Sequence, residues 1–219
     1  MKCVIFDMDG VIFDSESLWK KATLDSGEYF GINISEDFRQ SCCGKNEEEA
    51  AKFFYKQFFP IDGKKIRNWI GEKVKEYATD SGVPLKNGFM ELVDYLKSKN
   101  FKLALATGAS ISEVESYFKY ANIDYRNIFS AVTVGNEVVN SKPSPDIYLK
   151  TCEKLKVSSN ECYVIEDSFN GIAAAYKAGC KPIMVIDIIK PNIEIEKMCI
   201  KICDSLNEVK EYFLICEDN

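Results

Sequence analysis

The sequence predicts an α/β fold, a doubly wound parallel sheet carrying an inserted α-helical domain. Three features predict it. Short uninterrupted apolar runs recur along the chain, amphipathic helical patterns lie between them, and one long stretch after the first run is helical throughout.

The first run is Val4-Ile5-Phe6. Later ones are Leu103-Ala104-Leu105-Ala106, Ala131-Val132-Thr133-Val134, Tyr163-Val164-Ile165 and Ile183-Met184-Val185-Ile186. A run apolar on both sides of the pleat suits a strand covered on both faces, as in a parallel sheet. Between the runs, apolar residues fall at helical spacing: Phe89/Leu92/Val93/Leu96, Ile111/Val114/Phe118/Ala121, Tyr148/Cys152/Leu155, and Ile172 to Ala178 closed by Gly179. Residues 15–83 break the alternation. Stretches 18–29, 47–59 and 66–78 read as helices without an intervening strand, which places a helical cap domain at 15–83 and the α/β core at 1–14 and 84–219. Phe53, Phe54, Phe58 and Trp69 are expected to form the core of that insertion.

Composition narrows the chemistry. With 219 residues, 46% of them hydrophobic, the chain can bury one sizeable core and keep a smaller second domain. A net charge of -6 offers no basic face, so neither nucleic acid nor an anionic membrane is an expected partner. The apolar stretch after Met1 is too short for a signal peptide, and a cytoplasmic protein is expected. Nine cysteines without a CxxC pair read as reduced thiols, and they do not supply a tetrahedral zinc site. The chain has no histidine, which removes Ser-His-Asp triads, Cys-His pairs and histidine-ligated metals.

In an open parallel sheet, ligands gather at the carboxyl ends of the strands. There stand Asp7-Met8-Asp9-Gly10 after the first run, Thr107-Gly108 after the second, Glu166-Asp167-Ser168 after the fourth, and Lys142-Pro143 a short way beyond the third. Each alone has a bland reading: a turn, a helix cap at Thr107, a solvated charge at Lys142, an acidic pair favoured by a helix N-terminus. Together, four carboxylates, a hydroxyl and a lysine converge on one sheet edge, where like charges are costly unless a cation neutralises them. Oxygen ligands of this kind suit Mg²⁺.

The order DMDGV at Asp7 to Val11, ATG at Ala106 to Gly108, SKPSPD at Ser141 to Asp146 and IEDSFNG at Ile165 to Gly171 resembles the four motifs of the haloacid dehalogenase-like hydrolases. The branch it resembles has its helical cap after the first strand of a Rossmann-like core. The resemblance covers nearly the whole chain and is weak in the cap. It implies a phosphatase acting on a small phosphate ester. Asp7 is then the nucleophile and Asp9 the general acid and base; Thr107, Gly108 and Lys142 bind phosphate; Asp7, Asp9, Glu166 and Asp167 hold Mg²⁺. Gly44 and Lys45 are expected to contact substrate from the cap, and a monomer is expected.

The residue types suit that chemistry independently. Phosphoryl transfer is helped by in-line positioning and by neutralising the equatorial oxygens. An aspartate nucleophile divides the reaction into two easier steps. Asp9, two residues on, can protonate the leaving oxygen and then activate water.

Dehalogenation does not need the second aspartate, so Asp9 argues against it. A phosphate-accepting receiver or binding module also uses Asp, Thr and Lys, but is about half this length and has no cap. The nearer alternative is a sugar-phosphate mutase of the β-phosphoglucomutase type, which shares the core residues. Where that pattern places phosphate-binding groups, this chain has Trp19, Cys43, Glu47, Ala109 and Ile111, none suited to a charge-assisted bond with a phosphate.

Overall fold

The computed structural model describes residues 2–42, 47–188 and 190–217. The chain divides into two compact units, Met1–Asp14 with Pro84–Asn219, and Ser15–Val83.

The first unit contains β1 (Cys3–Phe6). The second holds α1 (Ser15–Phe30), α2 (Glu36–Cys42), α3 (Glu47–Gln57) and α4 (Gly63–Ser81), and only helices among its described residues. Back in the first unit follow α5 (Phe89–Ser98), β2 (Lys102–Ala106), α6 (Ile111–Tyr120), β3 (Ala131–Thr133), α7 (Asp146–Leu155), β4 (Cys162–Glu166), α8 (Phe169–Lys177), β5 (Lys181–Val185), α9 (Ile193–Met198), β6 (Lys201–Cys203) and α10 (Leu206–Glu217).

All strand pairs are parallel, in the order β3-β2-β1-β4-β5-β6. The chain winds outward from β1 through β2 to β3, then crosses to the other side at β4. The crevice where the order reverses therefore lies between the carboxyl ends of β1 and β4.

Alternation along each strand divides the core into two layers. Cys3, Ile5, Ala104, Ala106, Cys162 and Val164 face Ile147, Tyr148, Cys152 and Leu155 of α7 and Ala174 and Ala175 of α8. On the opposite face, Phe6 meets Phe89 of α5 edge-on at 5.8 Å and Tyr163 meets Phe213 of α10 at 5.0 Å. Phe6 is fully buried, and truncating it to alanine would cost about 3–5 kcal/mol. α9 packs Ile195 with Ile172 and Met184 in a smaller cluster.

Local signals set the helix ends that matter for the strand edge. Ser110 and Glu113 form a reciprocal capping box at α6, with Glu113 N–H to Ser110 Oγ at 3.3 Å and Ser110 N–H to Glu113 Oε2 at 2.8 Å. The cap is therefore Ser110 and not Thr107. Ser168 caps α8 by accepting from Gly171 N–H at 3.0 Å.

In the helical unit, Ile66, Ile70, Val74 and Ala78 of α4 are buried at four-residue spacing, a single stripe along the helix. The expected aromatic core proves to be two groups. Phe54 is buried, and with Phe53 and Phe58 it gathers around Phe38; Trp69 stacks separately on Tyr29 at 4.9 Å. Phe53 is exposed, so it borders that cluster and does not fill it. Among the described residues, no helix is long and apolar enough to cross a membrane. The eight described cysteines are free.

Candidate active site

Asp7 is the first residue beyond β1, and its N–H donates to Ile165 O of β4 at 3.0 Å, which pins it at the crevice. The chain then makes one tight turn, with Ile12 and Phe13 N–H both donating to Met8 O at 2.9 and 3.0 Å. Gly10 sits in this turn at φ 74°, and a Cβ there would overlap the Asp167 carboxylate. Glycine is needed at this position for conformation and for space together.

Asp7, Glu166 and Asp167 each offer a carboxylate oxygen, all within 4.8 Å of one another. The side chain of Asp9, expected in the same set, is not part of this trio. Asp9 is half-buried and its charge reaches both Asp7 and Tyr117 of α6. Tyr117 lies edge-on to Phe13 at 5.4 Å; burial, and then the Asp9 charge, raise its phenol.

Lys142 Nζ lies 2.5 Å from Asp7 Oδ1 and 2.6 Å from Glu166 Oε1. Its loop is fastened by Asp146, which takes Ser144 Oγ on Oδ1 at 2.5 Å and Asn140 Nδ2 on Oδ2 at 3.0 Å, while Lys177 Nζ holds Pro143 O at 3.1 Å.

Glu166 has no solvent exposure, and both of its oxygens are occupied. Oε1 accepts from Lys142 and from the Tyr148 hydroxyl at 2.9 Å; Oε2 accepts from Asp167 N–H, Ser168 N–H and Ser168 Oγ at 2.9–3.0 Å. A Cβ at Gly171 would overlap this carboxylate. The bonding makes Glu166 an anchor for Lys142 as well as a neighbour of the other carboxylates.

The charges respond accordingly. Burial pushes the Asp7 carboxyl up to about 7, with Lys142 pulling down and Glu166 and Asp9 pushing up. Burial, then Glu166 and Asp7, hold Asp167 well above the usual range. For Glu166, burial is outweighed by Lys142 and the hydrogen bonds, and its carboxyl is lowered. For Lys142, burial is likewise outweighed by Asp7 and Glu166, and its ammonium is held well above the usual lysine range. One ammonium thus serves three crowded carboxyl groups, and two of them, Asp7 and Asp167, are pushed toward the neutral form, as expected where oxygen donors gather without a second positive charge. That donor set fits a hard divalent cation such as Mg²⁺.

Thr107 follows β2 directly, with its N–H bound to Thr133 O at 3.0 Å and its Oγ1 accepting from Ala109 N–H at 3.0 Å. Thr107 is buried and Gly108 exposed at the same strand edge. Gly135 lies beneath this loop, where a Cβ would overlap the Gly108 carbonyl. Gly44 and Lys45, expected as cap contacts, and Cys43 lie outside the described residues. Trp19 carries Arg67 over its ring at 4.1 Å.

Sequence reasoning did not single out Tyr148, Ser168, Asp146 or Gly171 for these tasks. Tyr148 looked like one residue of an apolar helical stripe. Asp146 and Gly171 close the SKPSPD and IEDSFNG motifs, where the sequence alone gives them no role.

Residues 4–185 match the family model described as haloacid dehalogenase-like hydrolase. The chain belongs to this family. It is 33% identical over 184 residues to the phosphorylated carbohydrates phosphatase of Thermotoga maritima, covering 84% of each chain. It is 31% identical over 185 residues to hexitol phosphatase B of Escherichia coli, covering 83% of this chain and 82% of that one. Among solved structures, a candidate β-phosphoglucomutase from Thermotoga maritima superposes with a TM-score of 0.78 at 29% identity, covering 96% of this chain and 99% of that one. The parallel sheet and helical insertion are the architecture of this hydrolase family.

Proposed function

We propose that this hydrolase is a Mg²⁺-dependent phosphatase that cleaves a small phosphomonoester, a sugar phosphate or a metabolite of similar size, through an aspartyl phosphate on Asp7. The observation that carries the reading is the meeting of Asp7, Glu166 and Asp167 within 4.8 Å, with Lys142 ion-paired to Asp7 at 2.5 Å. The sugar-phosphate phosphatases among its relatives support the substrate class.

Asp7 and Asp167 would hold the cation, with Glu166 next to them engaged mainly in positioning Lys142. Bound there, Mg²⁺ supplies positive charge against the phosphoryl oxygens. Lys142, the Thr107 hydroxyl and the Gly108 N–H hold the remaining equatorial oxygens. The Asp7 carboxylate attacks phosphorus in line as the bond to the ester oxygen breaks, and Asp9 gives that oxygen its proton. Water then attacks the phosphorus of the aspartyl phosphate, Asp9 takes a proton from it, and Asp7 departs as the free carboxylate.

The test is a panel of phosphomonoesters assayed with Mg²⁺ and with chelator. It includes β-glucose 1-phosphate with catalytic glucose 1,6-bisphosphate, following free phosphate and glucose 6-phosphate separately. Phosphate release that stops in chelator and returns with Mg²⁺ is expected. Full activity in chelator, or stoichiometric glucose 6-phosphate with little free phosphate, contradicts the reading.

A further inference from the structure

Asp187 lies two residues beyond β5, next to the β4 edge that bears Glu166 and Asp167; Glu166 pairs in register with Met184. Its Oδ1 forms an ion pair with Lys86 Nζ. Its Oδ2 is closed to solvent and has no hydrogen-bond partner among the described residues. An unpaired buried acceptor costs about 1–3 kcal/mol, and more when charged, so a carboxylate so held is expected to have a partner.

Lys86 is fixed at both ends. Its N–H donates to Ile12 O at 2.8 Å, in the turn that follows Asp7, while its ammonium holds Asp187. The ion pair occupies one oxygen of Asp187 and leaves the other without a partner among the described residues. The β4–β5 register sets the chain after β5 beside the chain after β4, so that Asp187 and Asp167 follow neighbouring strand ends. Asp187 is not within the 4.8 Å group that could ligate an ion directly. Mg²⁺ keeps several of its waters when bound by few carboxylates, and groups that orient such waters affect affinity strongly.

We propose that Asp187 is a positioning residue for the cation site, its Oδ2 accepting a hydrogen bond from water carried by the ion at Asp7 and Asp167. This rests on the cation reading given above. Mn²⁺ is a suitable probe, because the resonance of the free ion disappears on binding and substrate-free protein can be titrated.

Asp187→Asn keeps the size of the side chain and an oxygen for Lys86, and Asp187→Ala removes both; each is compared with wild type and Asp167→Ala. Both Asp187 variants should bind Mn²⁺ about 10–100-fold more weakly than wild type. Binding within about twofold of wild type, even with a lowered metal-free melting temperature, would make Asp187 a structural partner of Lys86 only and overturn the proposal. Wild-type Mn²⁺ affinity in Asp167→Ala would instead overturn the cation reading itself. Loss in Asp167→Ala alone would leave that reading standing and remove only Asp187 from it.

Discussion

The Tyr148 hydroxyl donates to Glu166 Oε1 at 2.9 Å, the same oxygen that takes the Lys142 ammonium at 2.6 Å. Tyr148 is fully buried, and Lys142 also lies 5.3 Å above its ring. Tyr148→Phe keeps the ring and removes one of five donors to Glu166. A hydrogen bond to a charged group contributes about 1.5–3 kcal/mol. Denaturant unfolding should show a loss of that order, and kcat/KM should fall by roughly tenfold or less, since Lys142 retains both its carboxylates. An unchanged unfolding midpoint would show that the bond contributes nothing.

Asp146 should matter through the loop it fastens. Without its carboxylate, Ser144 and Asn140 lose their shared acceptor and Lys142 loses its fixed approach. Asp146→Ala is expected to lower kcat/KM by about 10–100-fold, in line with misplacement of a positioning group. The fold should persist, because the residue is at the surface. Kinetics equal to wild type would separate Asp146 from Lys142.

Gly10→Ala combines a positive φ with an overlap at the Asp167 carboxylate. The conformational part alone costs about 1 kcal/mol or more. Both a lower melting temperature and a higher Mg²⁺ requirement are expected, measured by thermal unfolding and by activity against Mg²⁺ concentration. A change in stability with no change in Mg²⁺ requirement would mean that Asp167 moves aside without consequence.

Much of this site was legible because its residues stand where apolar runs end. Asp7, Thr107 and Glu166 close or follow strands buried on both faces, and such strands leave a continuous signal in sequence. β6 left none: Lys201–Cys203 is a three-residue edge strand beginning on an exposed lysine. α2 was equally silent, since Glu36–Cys42 buries no residue. Tyr148 and Ser168 gave apolar-stripe and capping signals, which describe their own helices. Their hydrogen bonds to Glu166 depend on tertiary placement, and periodicity carries no information about that. Thr107 shows the converse, because a hydroxyl near a helix start invites a capping role that Ser110 fills.

The cysteines offer a check of the core. Cys3, Cys152, Cys162, Cys180 and Cys203 are buried and Cys216 is exposed. Brief alkylation of the native protein, followed by peptide mapping, should label Cys216 well before those five. Early labelling of Cys162, which lies 3.6 Å from Cys152 at the start of β4, would contradict the packing under the sheet.

The most direct test of the central claim is the rate of phosphate release by Asp7→Asn at saturating Mg²⁺, on the best substrate of the wild-type protein. The substitution preserves size and removes the charged oxygen with which Asp7 would attack phosphorus, along with its part in the ion pair to Lys142 and in the carboxylate trio. Nucleophile losses of this kind exceed about a thousandfold, so a rate below roughly a thousandth of wild type, in protein with an unchanged circular dichroism spectrum, is predicted. A rate above that level would remove Asp7 from the chemistry.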